Sequence, residues 1–241
     1  MLKNYFKIAW RNLIRNRASA LINIGGLAIG MAVAMLNGFW VWDELSFNKY
    51  HKNYESIAKV TKRGIKDGKL YANPVLPVAL AGELKTSYGQ HFKHILLSSQ
   101  PGESILTAGE KHLSIKGQFI EAGAPDMLSL KMQKGSRSGL QDQHSIMLSS
   151  SAARAIFGND DPINKVVQIN KDMAKVTGVY EDLPHNTEFH GINFFAPFEL
   201  WASANSWVKE GGWQNHFLNT FIQLKPGKNF QQISDLIKDA E

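Results

Sequence analysis

Apolar and polar positions change rhythm along this chain, and each rhythm predicts a different element. At the start, Lys3, Lys7, Arg11 and Arg15 recur at every fourth residue, with Phe6, Ala9, Trp10, Leu13 and Ile14 clustered elsewhere on the helical wheel. Residues 1–17 therefore predict a basic amphipathic helix. From Ala18 to Trp42 no side chain is charged. As a helix that stretch would reach about 37 Å, enough to cross a hydrocarbon layer of about 30 Å with some tilt, so residues 18–42 predict a transmembrane helix.

Beyond Asp43 the pattern shortens to alternating strand and helix signals. Ser56–Lys62 reads as a strand, and Lys66-Asp67-Gly68-Lys69 as a turn that returns the chain as a hairpin. Pro77–Tyr88 reads as a helix. Ile95–Ser99, Ser104–Thr107 and His112–Ile120 read as strands, with a turn at Ala108-Gly109-Glu110, and a short helix follows near Pro125–Leu130. Ser145–Leu148 predicts a strand. A helix from Ser149 to Phe157 follows, with a hydroxyl at its amino-terminal cap and Gly158 as its stop. Val166–Ile169 and Lys175–Tyr180 form a hairpin around Asn170-Lys171-Asp172. After an irregular segment from Glu181 to Gly191, Ile192–Ala196 and Phe217–Leu224 read as strands. Asn229–Ala240 is amphipathic through Phe230, Ile233, Leu236 and Ile237. The chain ends inside that helix, which gives the expectation of a fragment. The fold class expected is α+β: one N-terminal transmembrane helix, then a mixed α/β domain over 43–241, with two subdomains allowed by its length.

Charge orients the span. The formal net charge of +6 divides into +5 before it and +1 after it. Lys3, Lys7, Arg11, Arg15 and Arg17 precede the span, Asp43-Glu44 closes it, and positive flanks stay in the cytoplasm. The amino terminus is expected inside and residues 43–241 outside, with Trp40 and Trp42 at the outer interface. The basic excess is juxtamembrane, where it can rest on anionic lipid, so it does not argue for nucleic acid. A secretory signal cleaved after Ala32-Val33-Ala34 is the rival reading. The apolar run continues past that site to Trp42, and the basic region is long for a signal. Within the span, Gly26, Gly30, Ala34 and Gly38 recur at every fourth position and make one face smooth enough for another helix.

Candidate chemistry is sparse. With no cysteine, thiol catalysis, iron–sulfur clusters and cysteine zinc sites are excluded. No Walker A phosphate loop occurs, since Gly68-Lys69 is followed by Leu70 and Gly227-Lys228 by Asn229. His185, Glu188 and His190 could ligate a metal, but their spacing fits no zinc signature and ordinary loop polarity is the simpler reading. His91 and His94 read as exposed residues near a helix end. Ser149-Ser150-Ser151 reads as a cap rather than a nucleophile. Trp201, Trp207 and Trp213 are evenly spaced near Gly211-Gly212, and either line a partner or substrate surface or pack under a loop.

Specific phrases carry a family resemblance. These are Asn4-Tyr5-Phe6-Lys7-Ile8-Ala9-Trp10-Arg11-Asn12-Leu13, Ile22-Asn23-Ile24-Gly25-Gly26-Leu27-Ala28-Ile29-Gly30 and Trp42-Asp43-Glu44-Leu45-Ser46-Phe47-Asn48-Lys49-Tyr50-His51. Further along come Ser150–Gly158, Asp161-Pro162-Ile163-Asn164-Lys165 and Val176–Pro184. The chain resembles the start of an FtsX-like ABC transporter permease with a MacB-type periplasmic core domain. Asn164 departs from the family's usual glycine, and asparagine tolerates the left-handed backbone of that turn. The resemblance implies a permease subunit in the bacterial cytoplasmic (inner) membrane, whose outer domain couples to ATP-driven helix motion. ATP would be bound by a separate cytoplasmic ABC ATPase, so the chain has no cofactor of its own and is not an enzyme. Other transmembrane helices or a second permease copy, and a periplasmic adaptor, are the further partners implied. The alternative is a membrane-anchored extracytoplasmic binding or adaptor domain working without an ATPase.

Overall fold

The structure, a computed structural model, describes residues 2–240 and divides into two compact units at Phe47/Asn48. In the first unit, α1 (Leu2–Arg15) and α2 (Arg17–Leu45) are separated by Asn16, whose backbone leaves helical geometry at φ −111° and ψ 56°. No residue of α2 is buried. A helix apolar on every side, with nothing covering it, is suited to lipid or to other helices and not to water. It extends past the expected Trp42 through Asp43 and Glu44. Ser46 ends it, with its Oγ donating to the Asp43 carbonyl at 2.9 Å.

The second unit strings β1 (Ile57–Lys59), β2 (Lys62–Lys66), β3 (Lys69–Asn73), β4 (Leu76–Pro77), α3 (Val78–Tyr88), β5 (Phe92–Ser98), β6 (Gly102–Ala108) and β7 (Lys111–Ile120). It continues with α4 (Ala124–Met127), β8 (Met132–Gly135), β9 (Ser145–Ser149), α5 (Ser150–Phe157), β10 (Val166–Ile169) and β11 (Asp172–Tyr180). The last elements are β12 (Phe194–Pro197), α6 (Phe198–Ala204), α7 (Ser206–Glu210), β13 (His216–Leu224) and α8 (Phe230–Ile237).

The main sheet runs β1-β13-β5-β7-β12-β9-β11-β10-β6, and β6 pairs again with β7. Six strands therefore close on themselves, and β1, β13 and β5 form a wing attached where Ser98 pairs with Ile120. Closure removes the free edges of those six strands. Every residue of β9 and β12 is buried, as expected of strands covered on both faces. One core lies beneath the wing, where α3 and α8 bring Leu80, Leu84 and Ile233 against β5 and β13. A second fills the closed part around Ile146, Val176 and Phe194. A third joins them through Leu96, Ile120, Tyr180 and Phe221.

Local chemistry sets the turns. Asp67-Gly68 (φ 52° and 73°), Gly109 (φ 59°) and Asn170 (φ 56°) supply the left-handed backbone that tight hairpins require. Asn164 sits at φ 65°, so the substitution for glycine keeps the turn. The Ser149 side chain accepts from the Ala152 N–H and caps α5.

Several expectations are corrected. The strand expected over Ser56–Lys62 is two: β1 joins the main sheet, where Ala58 and Val60 pack on the core beneath the wing. From Lys62 the chain leaves that core, and β2 pairs only with β3. The strand expected at Ile192 begins at Phe194. The segment from Phe198 to Glu210 forms α6 and α7, because Phe198, Trp201 and Ala202 present a helical face to the core. His94 is a strand residue of β5 with a side chain only 20% exposed, 3.6 Å from Asp126. Burial, followed by the charge of Lys93, holds its pKa down against the pull of Asp126.

Candidate functional site

The chain enters the second unit through a polar segment fixed at several points. Asn48 takes a left-handed backbone, φ 62°. Its N–H donates to the Asn186 carbonyl at 2.8 Å, and its Oδ1 accepts from the Glu188 N–H at 2.9 Å. Three residues on, His51 is 3% exposed, with Nδ1 2.8 Å from the Leu128 carbonyl. A carbonyl only accepts, so the proton sits on Nδ1 and Nε2 is bare. Nε2 is buried without a hydrogen-bond partner among the described residues. Tyr50 and Phe189 meet the imidazole edge-on, at 5.4 and 5.9 Å between ring centres. Burial lowers the His51 pKa, and the Leu128 hydrogen bond only partly opposes it. Asn53 Nδ2 donates to the Met127 carbonyl and to Ser129 Oγ, both at 3.1 Å. Lys59 then pairs with Glu188 at 2.9 Å. The segment from Asn48 to Lys59 is thus tied to residues 127–129, at the end of α4, and to residues 186–189. No sequence signal marked Asn48, His51 and Asn53 individually. They stand in and just after the phrase that follows the span, where a run of polar and aromatic residues hides the burial.

The three tryptophans separate. Trp201 on α6 and Trp207 on α7 meet at 5.7 Å, and both contact Phe217 of β13, at 6.4 and 4.7 Å. Trp201 also stacks on Phe119. Together they wall a cleft of about 300 Å³ whose other residues include Gln100, Glu103, Ser104 and Asn170. Trp207 remains 47% exposed. Trp213 lies in the turn after α7, outside this ring cluster. An aromatic wall facing amide and carboxylate groups can hold an apolar or flat polar ligand.

A larger cleft, about 450 Å³, opens between the start of β2 and α8. Its apolar floor includes Leu76, Leu80 and Ile233, and Lys59, Arg63 and Lys238 stand around it.

The remaining candidates fall into other roles. Ser151 donates to Asp182 through both its N–H (3.2 Å) and Oγ (2.7 Å). Burial works to raise the Asp182 pKa, but hydrogen bonds from Ser151 and Ser149 and the charge of Arg154 outweigh it and leave it low. The serines and this carboxylate thus cap α5. Glu188 is engaged by Lys59, and among the described residues no three His, Asp or Glu side chains gather as a metal site.

In the first unit, nothing lies within 4 Å of where a Cβ would stand on Gly26, Gly30 or Gly38. That face, which also carries Ala34, is open to a neighbour. Trp40 and Trp42 are 67% and 74% exposed at the far end of α2. Lys3, Lys7, Arg11 and Arg15 project from α1 and Arg17 opens α2, its Nε donating to the Ile14 carbonyl at 3.3 Å.

The sequence profile of the MacB-like periplasmic core domain matches residues 20–240. No curated protein sequence matches the chain. Among solved structures, a domain of a protein described as a permease from Porphyromonas gingivalis superposes with TM-score 0.65 at 18% identity, covering 79% of this chain and 81% of that one. The periplasmic region of MacB from Actinobacillus actinomycetemcomitans gives 0.56 at 19%, covering 78% and 86%. The extracellular domain of the noncanonic ABC-type transporter YknZ from Gram-positive bacteria gives 0.53 at 20%, covering 76% and 90%. At these identities the structures share the fold.

Proposed function

Because the chain belongs to the family of MacB-like periplasmic core domains, we propose that it is the N-terminal part of an ABC transporter permease subunit whose outer domain is moved by ATP-driven displacement of its membrane helix. The fixed entry segment carries this reading. Only Ser46 and Phe47 separate the end of α2 from Asn48. Asn48, His51 and Asn53 then tie the chain to two loops of the domain, so a shift of the helix is passed on with little slack. ATP hydrolysis belongs to a separate cytoplasmic ATPase in this scheme, and the chain itself is neither an enzyme nor a cofactor carrier. The five basic residues before the span favour an amino terminus in the cytoplasm of a bacterial inner membrane. The open Gly26, Gly30, Ala34 and Gly38 face suits another transmembrane helix or a second permease copy. The Trp201–Trp207 cleft is the surface we assign to a periplasmic adaptor or substrate.

The test is purification of the chain from its native membranes in mild detergent, followed by ATPase assay and spin-label distances within the outer domain. The expected result is a co-purified Walker A ATPase whose hydrolysis changes those distances. Replacing His51 and Asn53 together by alanine should leave hydrolysis in place and abolish the movement. A stable membrane protein with no ATPase partner would instead favour the anchored adaptor.

A further inference from the structure

The hairpin of β2 and β3 stands apart from every other strand. Its five registered pairs run from Lys62↔Asn73 to Lys66↔Lys69, and it is a two-stranded sheet of its own. Two-stranded ribbons are marginal in water, and one kept by a soluble domain normally turns its apolar face inward. This one does the reverse. Ile65 and Leu70, directly paired one step behind the Lys66↔Lys69 pair that closes on the Asp67-Gly68 turn, are 77% and 72% exposed. Tyr71 is 44% exposed, and its ring lies over Gly64, the residue opposite it. The ribbon's sequence holds Lys62, Arg63, Lys66 and Lys69 against one acid, Asp67, and its base borders the cleft flanked by Lys59 and Lys238. An exposed aliphatic pair just behind the turn, a tyrosine in the next pair, Lys69 on the turn side and Arg63 towards the base form the arrangement that enters a bilayer interface: the aliphatic pair leaves water, the phenol stays at headgroup depth and the cations reach lipid phosphates.

We propose that the β2–β3 hairpin is a membrane-docking element for an anionic lipid surface. Charge complementarity selects that occupant over an apolar protein patch, which would not need cations such as Arg63 and Lys69 on either side of the aliphatic pair. Proximity supports it as well: the domain starts at Asn48, directly after the predicted span, so a bilayer is present at high effective concentration and weak contacts suffice. The inference does not depend on whether an ATPase drives the chain.

The experiment uses residues 48–241, which hold three hydrophobic cores of their own; the MacB and YknZ relatives were likewise solved as separate periplasmic or extracellular regions. The domain is sedimented with vesicles of pure phosphatidylcholine and of equal parts phosphatidylcholine and phosphatidylglycerol. Binding is expected to the second and not the first, to fall about tenfold in Ile65→Ser/Leu70→Ser and in Arg63→Glu/Lys69→Glu, and to weaken as salt is raised. Leu70→Trp reads insertion directly, through a blue-shifted emission quenched by brominated lipid. Circular dichroism and the melting temperature should stay at wild-type values in every variant. Absence of binding to the anionic vesicles, equal binding by the serine variant, or a Leu70→Trp emission unchanged by lipid would overturn the proposal. So would loss of a protein partner, and not of vesicles, in the serine variant.

Discussion

Two glycines lie under aromatic rings of a neighbouring strand, one in a parallel pair of the closed part of the sheet and one in the antiparallel hairpin. Gly117 of β7 faces Phe194 of β12, and Gly64 of β2 faces Tyr71 of β3. At either position an added Cβ would collide with the ring. What differs is freedom to yield: Phe194 is 0% exposed and Tyr71 is 44% exposed. A ring over a glycine is thus fixed in one region and loose in the other. The entry segment sharpens the contrast, because there polar side chains are buried or half-buried, whereas the hairpin exposes Ile65 and Leu70. Position in the fold, not residue type, sets how much each contact stabilises.

The largest effect is expected from Gly117→Ala. The Phe194 ring has no space to retreat, so overpacking should cost about 3 kcal/mol and show as a clear drop in the denaturation midpoint of the 48–241 domain. A midpoint within experimental error of wild type would mean that the closed core is as plastic as the hairpin.

His51→Ala comes next. It removes a hydrogen bond to Leu128 and two edge-on ring contacts inside a buried site, and should cost about 2 kcal/mol by chemical denaturation. Asn53→Ala, in a half-buried position, should cost about 1 kcal/mol.

Acid reads the same site more gently. Because the folded pKa of His51 lies below the ordinary 6.5, the unfolded chain binds more protons. Stability should therefore be full above about 6.5 and decline as pH falls through that value towards the lower folded pKa. His94 shifts in the same direction and adds to the slope. His51→Asn can still donate to the Leu128 carbonyl but cannot titrate, so it should flatten the profile below about pH 6.5 without removing the His94 contribution. An unchanged slope would place the acid sensitivity elsewhere.

The long apolar helix, the tight hairpins and the α5 cap were legible in the sequence because each is decided by neighbours: an uncharged run, an Asp-Gly pair, a serine before a helix. Asn48, His51 and Asn53 were not. His51 is buried by a partner 77 residues away, and no local pattern separates a histidine that meets such a carbonyl from one in water. The helices α6 and α7 were hidden by the even spacing of Trp201, Trp207 and Trp213, which does not match a helical period and drew attention from the helical face of Phe198, Trp201 and Ala202. The small-residue face of α2 was plain in sequence, since four residues at every fourth position need no tertiary contact to define them. The hairpin's turn was equally plain, yet the exposure of Ile65 and Leu70 was not, because alternation in a ribbon assigns residues to faces without saying which face is covered.

The smallest effects belong to the hairpin. Gly64→Ala should cost about 0.5 kcal/mol or less, since the Tyr71 ring can swing into solvent. Ile65→Ser/Leu70→Ser should change domain stability by no more than about 0.5 kcal/mol, because neither side chain is covered in the folded domain and neither loses packing on substitution. Parallel urea titrations of Gly64→Ala and Gly117→Ala are the sharpest form of the comparison: identical chemistry beneath an aromatic ring, with a several-fold difference in cost. A large loss of stability from the hairpin substitutions would mean that the ribbon is folded onto the domain in solution, and its apolar tip would then be accounted for by packing and not by a surface it meets.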